Sequence, residues 1–292
     1  MKTIYYYQSF VGLDKALDHI EDVDVLIVSS IHFANDSSNA NDSSNANDSS
    51  NANDSSNAND SSKDKEGKKS IYLNDNKPYD PIFNEMWFQT EQASNQGTTI
   101  MLMMGGAGKA YKELFSDFDT YYPQLKQLIL EKSWVKGIDL DIEEHTSIDN
   151  VKMLINRLVK DFVPNGNRDF IITMAPVSST MISDGTSFAG FNYKELYLSD
   201  EGSYIHWFNT QCYESFSIET YDKIINNGYP PEKVVMGMES GQFDESTFDE
   251  ALNEVKKIKD KYPKAGGVFD WEYLNAPPSE DPSQWSRLMK NI

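Results

Sequence analysis

The sequence predicts an α/β fold, a single (β/α)8 barrel that spans residues 1–292 and carries one long disordered insertion after its second strand. Apolar, β-rich runs alternate with segments in which apolar residues recur every three or four positions. Such alternation is typical of a parallel sheet with both faces covered. A closed barrel usually takes about 250 residues, so eight units in one chain of this length favour closure over an open sheet.

The eight predicted strands are short runs of β-branched, aliphatic and aromatic residues. They lie at Thr3–Tyr7, Val23–Phe33, Thr99–Met104, Trp134–Glu143, Asp169–Met174, Ile205–Tyr213, Val234–Met238 and Gly266–Trp271. The helices between them show three- and four-residue apolar spacing. They are predicted at Asp14–Ile20, Asn84–Gln96, Tyr121–Lys132, Ile148–Phe162, Ile218–Asn227, Ser246–Tyr262 and Ser283–Met289.

A low-complexity segment separates the second strand from the next helix. The unit Ala-Asn-Asp-Ser-Ser-Asn runs from Ala34 to Ser62 in four full copies and one truncated copy, and a charged stretch follows it to Lys69. A period of six also suits a β-helix, but this unit has no large aliphatic side chain to fill such a core. We therefore expect residues 34–69 to be a disordered insertion within the barrel domain.

Composition limits the partners and the compartment. There are 46 acidic and 26 basic residues, and the net charge of −20 argues against nucleic acid or an anionic membrane surface as a partner. One cysteine, Cys212, excludes an intrachain disulfide. Neither a signal peptide nor an apolar run of about 18 residues is visible, which favours a cytoplasmic protein. We expect a monomer without a cofactor.

The strand Trp134–Glu143 carries three acids, Asp139, Asp141 and Glu143, which alternate with aliphatic residues. Side chains two apart share a face of a strand, about 6.6 Å apart, so these carboxyls line one face and interact. Like charges this close cannot all ionise, and a carboxyl that keeps its proton is what a general acid requires. A solvated face, a structural polar core and a divalent metal site are the alternatives.

In a parallel barrel the reactive groups lie at the carboxyl ends of the strands. This rule brings together at one mouth Glu143, Gly105, Gly106, Tyr213, Glu214, Glu239 and Trp271. The run Gly105-Gly106-Ala107-Gly108 lacks the spacing of a dinucleotide-binding loop. Its glycines either let the backbone approach a ligand closely or form a plain turn.

Taken in order, these strand ends resemble the motifs of glycoside hydrolase family 18, the chitinases. The family's Asp-x-x-Asp-x-Asp-x-Glu signature appears as Lys136-Gly-Ile-Asp139-Leu-Asp141-Ile-Glu143. Its other strand motifs appear as Gly105-Gly106, Ala175-Pro176, Gln211-Cys-Tyr213-Glu214 and Gly266-Gly-Val-Phe-Asp-Trp271. Three positions depart from the pattern: Lys136 replaces Asp, Met103 replaces Ser, and Glu214 replaces Asn or Asp.

The resemblance implies retaining hydrolysis of β-1,4-linked N-acetylglucosamine, in which the substrate's own acetamide attacks the anomeric carbon. The implied catalytic residues are Glu143 as general acid and then base, Asp141 to orient the acetamide, Asp139 to share a proton with Asp141, and Tyr213 to bond the acetamide oxygen. The implied sugar contacts are Trp271, Gln211, Glu214, Gly105, Gly106 and Ala175. The partner is an oligo- or polysaccharide that contains N-acetylglucosamine.

Several functions stay open at this point. The motifs suit chitin and chito-oligosaccharides, and equally the chitobiose core of N-glycans. A different barrel glycosidase would use Glu143 as acid and Glu239 as nucleophile, with their carboxyls about 5–5.5 Å apart. A glycan-binding protein without activity is the third alternative, although loss of the acid is what characterises such members and Glu143 is present.

Overall fold

The computed structural model describes residues 1–35, 68–163 and 169–292. Nine strands lie in the described ranges: β1 Lys2–Tyr7, β2 Val25–Asn35, β3 Lys69–Leu73, β4 Thr99–Gly106, β5 Val135–Ile142, β6 Ile171–Met174, β7 Ile205–Gln211, β8 Val234–Glu239 and β9 Gly267–Trp271. Eight of them pair in parallel in the order β1-β9-β8-β7-β6-β5-β4-β2. Parallel pairing of β1 with β2 closes the ring. The predicted eight-stranded α/β barrel is confirmed.

Helices cover the outside of this barrel. In the described part of the chain they are α1 Asp14–Leu17, α2 Asn84–Asn95, α3 Ala110–Ser116, α4 Phe118–Glu131, α5 Ile148–Phe162, α6 Ser178–Ile182, α7 Tyr193–Tyr197, α8 Ile218–Asn226, α9 Phe248–Lys261 and α10 Ser283–Lys290. The long helices follow the predicted ranges closely. The short helices α3, α6 and α7 were not predicted, because five to seven residues hold too few turns for a periodic signal.

The ends of the predicted insertion are ordered strand. Ala34 and Asn35 complete β2 and pair in antiparallel fashion with Ser70 and Lys69 of β3. The expectation of disorder over residues 34–69 is therefore wrong at Ala34, Asn35 and Lys69. Residues 36–67, which hold the rest of that expectation, lie outside the described residues.

The apolar core has two layers. Inside the barrel a small cluster fills the lower part of the ring: Ile4, Tyr6, Val25, Ile27, Met101, Met103, Trp207, Val235 and Phe269. A much larger cluster lies between the strands and the helices and includes Cys212, as expected for a residue that alternates with Gln211 and Tyr213. The methionines of β4 are likewise core residues. Because apolar side chains fill this part of the interior, the polar groups at the carboxyl ends of the strands form the candidate site.

Two further features bear on the sequence predictions. Lys136 near the start of β5 is exposed, and its Nζ donates to the Ser133 carbonyl oxygen at 2.7 Å, so the departure from the family signature lies at the opposite end of the strand from the mouth. Across residues 1–35, 68–163 and 169–292, no helix combines the length and the apolar character needed to cross a bilayer.

Candidate active site

Strand β5 presents its acids to the barrel interior, as its alternation predicts. Asp139 is fully buried and Asp141 is 4% exposed, whereas Glu143 follows the last strand residue and is half-buried. The residues that alternate with these acids, Ile138, Leu140 and Ile142, pack in the outer layer. The row therefore runs from the closed interior at Asp139 to the accessible mouth at Glu143.

Asp139 accepts hydrogen bonds from three other strands. Tyr6 of β1 donates its hydroxyl to Oδ2 at 2.8 Å, Thr173 of β6 donates to Oδ1, and Asn209 of β7 donates from Nδ2 to Oδ1 at 3.0 Å. Burial raises the pKa of Asp139, and these three donors oppose that rise because they stabilise the charged form. None of the three donors was singled out from the sequence, because distant strands supply them.

One side-chain amide joins the other two acids. The Nε2 of Gln211 lies 3.2 Å from Oδ1 of Asp141, 3.3 Å from Oε1 of Glu143 and 2.9 Å from the carbonyl oxygen of Ala175. Gln211 thus joins the two acids, while its predicted contact with sugar stays a prediction. Ala175 is buried and its carbonyl holds Gln211 in place, while a contact of Ala175 with sugar stays a prediction.

Asp141 is the acid most strongly disposed to hold a proton. Burial raises its pKa well above the ordinary value, and the charges of Glu143 and Asp139 raise it further. A hydrogen bond with Glu143 acts in the same direction. Proton sharing between Asp139 and Asp141 stays a prediction. In the regions of chain that are described, no three His, Cys, Asp or Glu side chains group as ligands for a metal ion.

Two aromatic residues stand above the interior cluster at the mouth. Trp271 packs on Tyr6 with ring centroids 5.1 Å apart, and Tyr213 packs edge-to-face on Phe269 at 6.5 Å. Both are half-buried, so each keeps a surface for a ligand. Burial raises the pKa of Tyr213 well above its ordinary value, and the charge of Asp141 adds to this, so its hydroxyl is a donor at every ordinary pH. A pyranose packs well on such an aromatic plane.

The predicted glycines have different structural reasons. A Cβ on Gly105, whose φ is +104°, would lie 2.0 Å from the Asp141 carbonyl oxygen, so this glycine allows β4 and β5 to approach each other. A Cβ on Gly106 would lie 3.8 Å from Asp141 Oδ2, beside the reactive acids. Glu214 is exposed and has φ +57°, and its role beside a sugar stays a prediction.

Glu144, directly after the predicted general acid, was missed by the sequence reasoning. Its carboxylate accepts the backbone N–H of Tyr111 at 2.6 Å and that of Lys112 at 3.3 Å, at the start of α3. The first N–H groups of a helix lack partners within the helix, so a carboxylate there is stabilising. Glu144 thereby fixes the chain that follows Glu143. An acid at the end of a barrel strand was the only signal that could have indicated it.

Replacing Glu144 with alanine is expected to lower kcat about tenfold, because the backbone next to Glu143 loses its attachment to α3. KM should change less, since the carboxylate of Glu144 is bound to the backbone of Tyr111 and Lys112. Glutamine keeps one acceptor oxygen, so Glu144→Gln should recover most of the activity. Steady-state kinetics of the two variants on a chito-oligosaccharide checks this, and an unchanged kcat in Glu144→Ala contradicts it.

Solved structures of known proteins match this chain over nearly its full length. No protein-family model matches the chain, and no curated protein matches it. The solved structure of a fungal endo-beta-N-acetylglucosaminidase from glycosyl hydrolase family 18 is 27% identical, with a TM-score of 0.75, covering 99% of this chain and 97% of that chain. The chitinase ChiC from Aspergillus fumigatus is 26% identical, with a TM-score of 0.75 and coverage of 99% and 98%.

A more distant structure shares the fold alone. The chitinase-like agglutinin from Robinia pseudoacacia is 12% identical, with a TM-score of 0.58 and coverage of 98% of this chain and 99% of that chain. The two more similar structures are named as a family 18 endo-beta-N-acetylglucosaminidase and a chitinase, and each matches the fold of this chain over nearly its whole length. The resemblance to glycoside hydrolase family 18 that the motifs predict is therefore confirmed.

Proposed function

We propose that this protein is a retaining glycoside hydrolase that cleaves β-1,4-linked N-acetylglucosamine with the help of the substrate's own acetamide group. The observation that carries the proposal is the position of the buried Asp141 beside the accessible Glu143 at the barrel mouth, where the amide of Gln211 contacts both carboxyls. A double-displacement enzyme needs a second carboxylate as nucleophile, whereas substrate assistance needs one acid and one group that orients the acetamide.

The proposed reaction assigns each residue a step. Glu143 protonates the glycosidic oxygen while the acetamide oxygen attacks the anomeric carbon and the bond to the leaving group breaks. Asp141 holds the acetamide N–H, and Tyr213 donates its hydroxyl to the acetamide oxygen. The Glu143 carboxylate then takes a proton from water while that water attacks the anomeric carbon and the bond from this carbon to the acetamide oxygen breaks, which gives retention. Trp271 supports the sugar ring from below.

Chitin and chito-oligosaccharides are the first candidate substrates, and N-glycan cores are the second. The two similar structures above a quarter identity are named as an endo-beta-N-acetylglucosaminidase and a chitinase, at nearly equal identity. Both substrates contain the N-acetyl group that the proposed reaction uses. A glycan-binding protein without activity is the alternative, and one structure with the same fold is named a chitinase-like agglutinin. The presence of Glu143 and Asp141 favours the enzyme.

Product analysis separates these candidates. The purified protein is incubated with chitin oligomers and, separately, with a high-mannose glycopeptide, and products are identified by mass spectrometry and by NMR of the new anomeric centre. We expect hydrolysis of the oligomers with retained β configuration, and inhibition by a thiazoline analogue of the cyclic intermediate. An inverted product, or indifference to the thiazoline at millimolar concentration, contradicts substrate assistance. Cleavage of the glycopeptide alone reassigns the substrate.

A further inference from the structure

We propose that Asn209 is a positioning residue for the reaction: Trp207 locks the orientation of its amide, and the locked amide keeps Asp139 an ionised hydrogen-bond acceptor beside Asp141. Neither residue belongs to the strand-end motifs, and both lie on β7 below the mouth. The inference rests on the proposed glycosidase function for its kinetic consequences. The charge state of Asp139 does not depend on that function, and an NMR titration measures it without hydrolysis.

The chemistry of the indole group determines which end of the Asn209 amide faces Asp139. Trp207 Nε1 lies 2.8 Å from Asn209 Oδ1, and an indole N–H can only donate a hydrogen bond. The amide oxygen must therefore face Trp207. The amide nitrogen then faces Asp139, with Nδ2 3.0 Å from Oδ1 of that acid. A rotated amide would place two donors against each other on one side and two acceptors on the other, which loses both bonds.

The hydrogen bond between Trp207 and Asn209 is buried, and the surrounding packing holds both side chains in place. Trp207 and Asn209 are two residues apart on one strand, so their side chains share the inner face of the barrel. Asn209 is fully buried, and Trp207 is 5% exposed within the interior cluster. The Nζ of Lys2 on β1 lies 4.7 Å from the centre of the Trp207 ring, which adds a cation–π contact from a strand three positions away in the closed ring. Trp207 cannot rotate without displacing this packing.

A donor that cannot become an acceptor distinguishes Asn209 from the other partners of Asp139. The hydroxyls of Tyr6 and Thr173 can donate to a carboxylate or accept from a carboxylic acid. The Asn209 N–H can only donate, so it favours the charged form of Asp139. Burial acts in the opposite direction and raises the pKa of Asp139. The apolar side chain of Met103, paired with Asp139 across β4, offers no compensating charge.

The charge on Asp139 matters because Asp141 responds to it. The negative charges of Glu143 and Asp139 both help Asp141 keep its proton. The hydroxyls of Tyr111 and Tyr193 also face these acids, and both stay neutral because burial and the acids raise their pKa values. If Asp139 took a proton, Asp141 would lose one of the negative charges that help it keep its own, so the proton of the pair would pass from Asp141 to Asp139. Asn209 therefore controls, through Asp139, which carboxyl carries the proton.

The test uses the full chain with two substitutions and their combination. Asn209→Leu removes the donor at similar volume, and Trp207→Phe removes the indole N–H while it keeps an aromatic ring. We expect Asn209→Leu to lower kcat about tenfold, because the proton passes from Asp141 to Asp139, and to move the alkaline limb of the pH–rate profile up by roughly 0.5–1 pH unit, with KM little changed. Trp207→Phe should give a smaller shift in the same direction, because the amide becomes free to rotate.

A double-mutant cycle and a packing control distinguish an effect transmitted through Asn209 from a general loss of core packing. If Trp207 acts through Asn209, Trp207→Phe adds no further pH shift in the Asn209→Leu background. Val235→Ala, in the same interior cluster, should lower the melting temperature without moving the alkaline limb. Equal shifts from Trp207→Phe in both backgrounds overturn the proposed lock. A fall in kcat with an unmoved profile in Asn209→Leu shows a structural role only and overturns the proposal.

A measurement independent of hydrolysis separates this inference from the proposed function. Titration of the aspartate carboxyl carbons by NMR in wild type and Trp207→Phe reports the charge of Asp139 directly. We expect the Asp139 signal to titrate at higher pH in Trp207→Phe than in wild type. An unchanged titration overturns the inference even in an active enzyme. If the Asp139 signal titrates as expected in a protein that hydrolyses none of the tested substrates, the control of Asp139 by Trp207 and Asn209 is supported and only the proposed function is refuted.

Discussion

Replacing Glu143 with glutamine is expected to lower kcat by about 10²–10⁴-fold, the usual contribution of a general acid, while oligosaccharide binding stays nearly unchanged. Glutamine has almost the same shape and can still accept the hydrogen bond that Gln211 donates to Oε1. It cannot give a proton to the leaving oxygen. Turnover of a chito-oligosaccharide and calorimetric measurement of its binding check the two halves of this expectation.

Glu239→Gln is the matched control for this variant. Glu239 ends β8 at the same mouth and is exposed, and it is the nucleophile in the alternative two-carboxylate mechanism. Substrate assistance needs no enzyme nucleophile, so Glu239→Gln should keep activity within about threefold of wild type. Comparable loss in both variants favours the two-carboxylate mechanism. Hydrolysis by Glu143→Gln at near wild-type rates contradicts the acid role of Glu143.

Asp141→Asn is expected to lower kcat at least about a hundredfold, because the amide cannot give up a proton and so cannot develop the negative charge that stabilises the cyclic intermediate. The same variant should be more stable than wild type at neutral pH. Burial and the neighbouring acids hold the pKa of Asp141 well above its ordinary value of 3.8, so the folded protein binds a proton that the unfolded chain has released. Asparagine is neutral at every pH and resembles the protonated acid.

The sign of the pH dependence follows from proton linkage. Between the unfolded and folded pKa values of Asp141 the folded state binds more protons, so the free energy of unfolding decreases as pH rises. The stabilising contribution is complete below the unfolded value and is lost as pH rises through the folded value. Above it, Asp141→Asn should gain about 1.4 kcal/mol for each unit of the pKa shift.

Urea denaturation at pH 4 and pH 8 measures this effect. The difference in unfolding free energy between Asp141→Asn and wild type should be near zero at pH 4 and should favour the variant at pH 8. A variant that is less stable than wild type by the same amount at both values contradicts the raised pKa of Asp141. Such a loss would indicate that the carboxylate contributes hydrogen bonds that the amide cannot replace.

Much of the fold could be predicted because strand and helix periods differ clearly in this chain. The alternation of Asp139, Asp141 and Glu143 with aliphatic residues correctly predicted one inward acidic face. Long helices such as α5 were predicted with accurate bounds, since several turns repeat the same apolar stripe. The strand β3 was missed, because five residues beside a polar repeat carry no comparable pattern.

The amino-acid sequence by itself determined the closed barrel, the row of acids on one strand and the set of strand ends that form the mouth, because each follows from periodicity along a single segment. Only the tertiary structure decided which distant side chains control those acids. Tyr6, Thr173 and Asn209 lie on three other strands, and Glu144 reaches the start of α3. Barrel closure brings these groups within hydrogen-bond distance, and spacing along the chain does not encode that register.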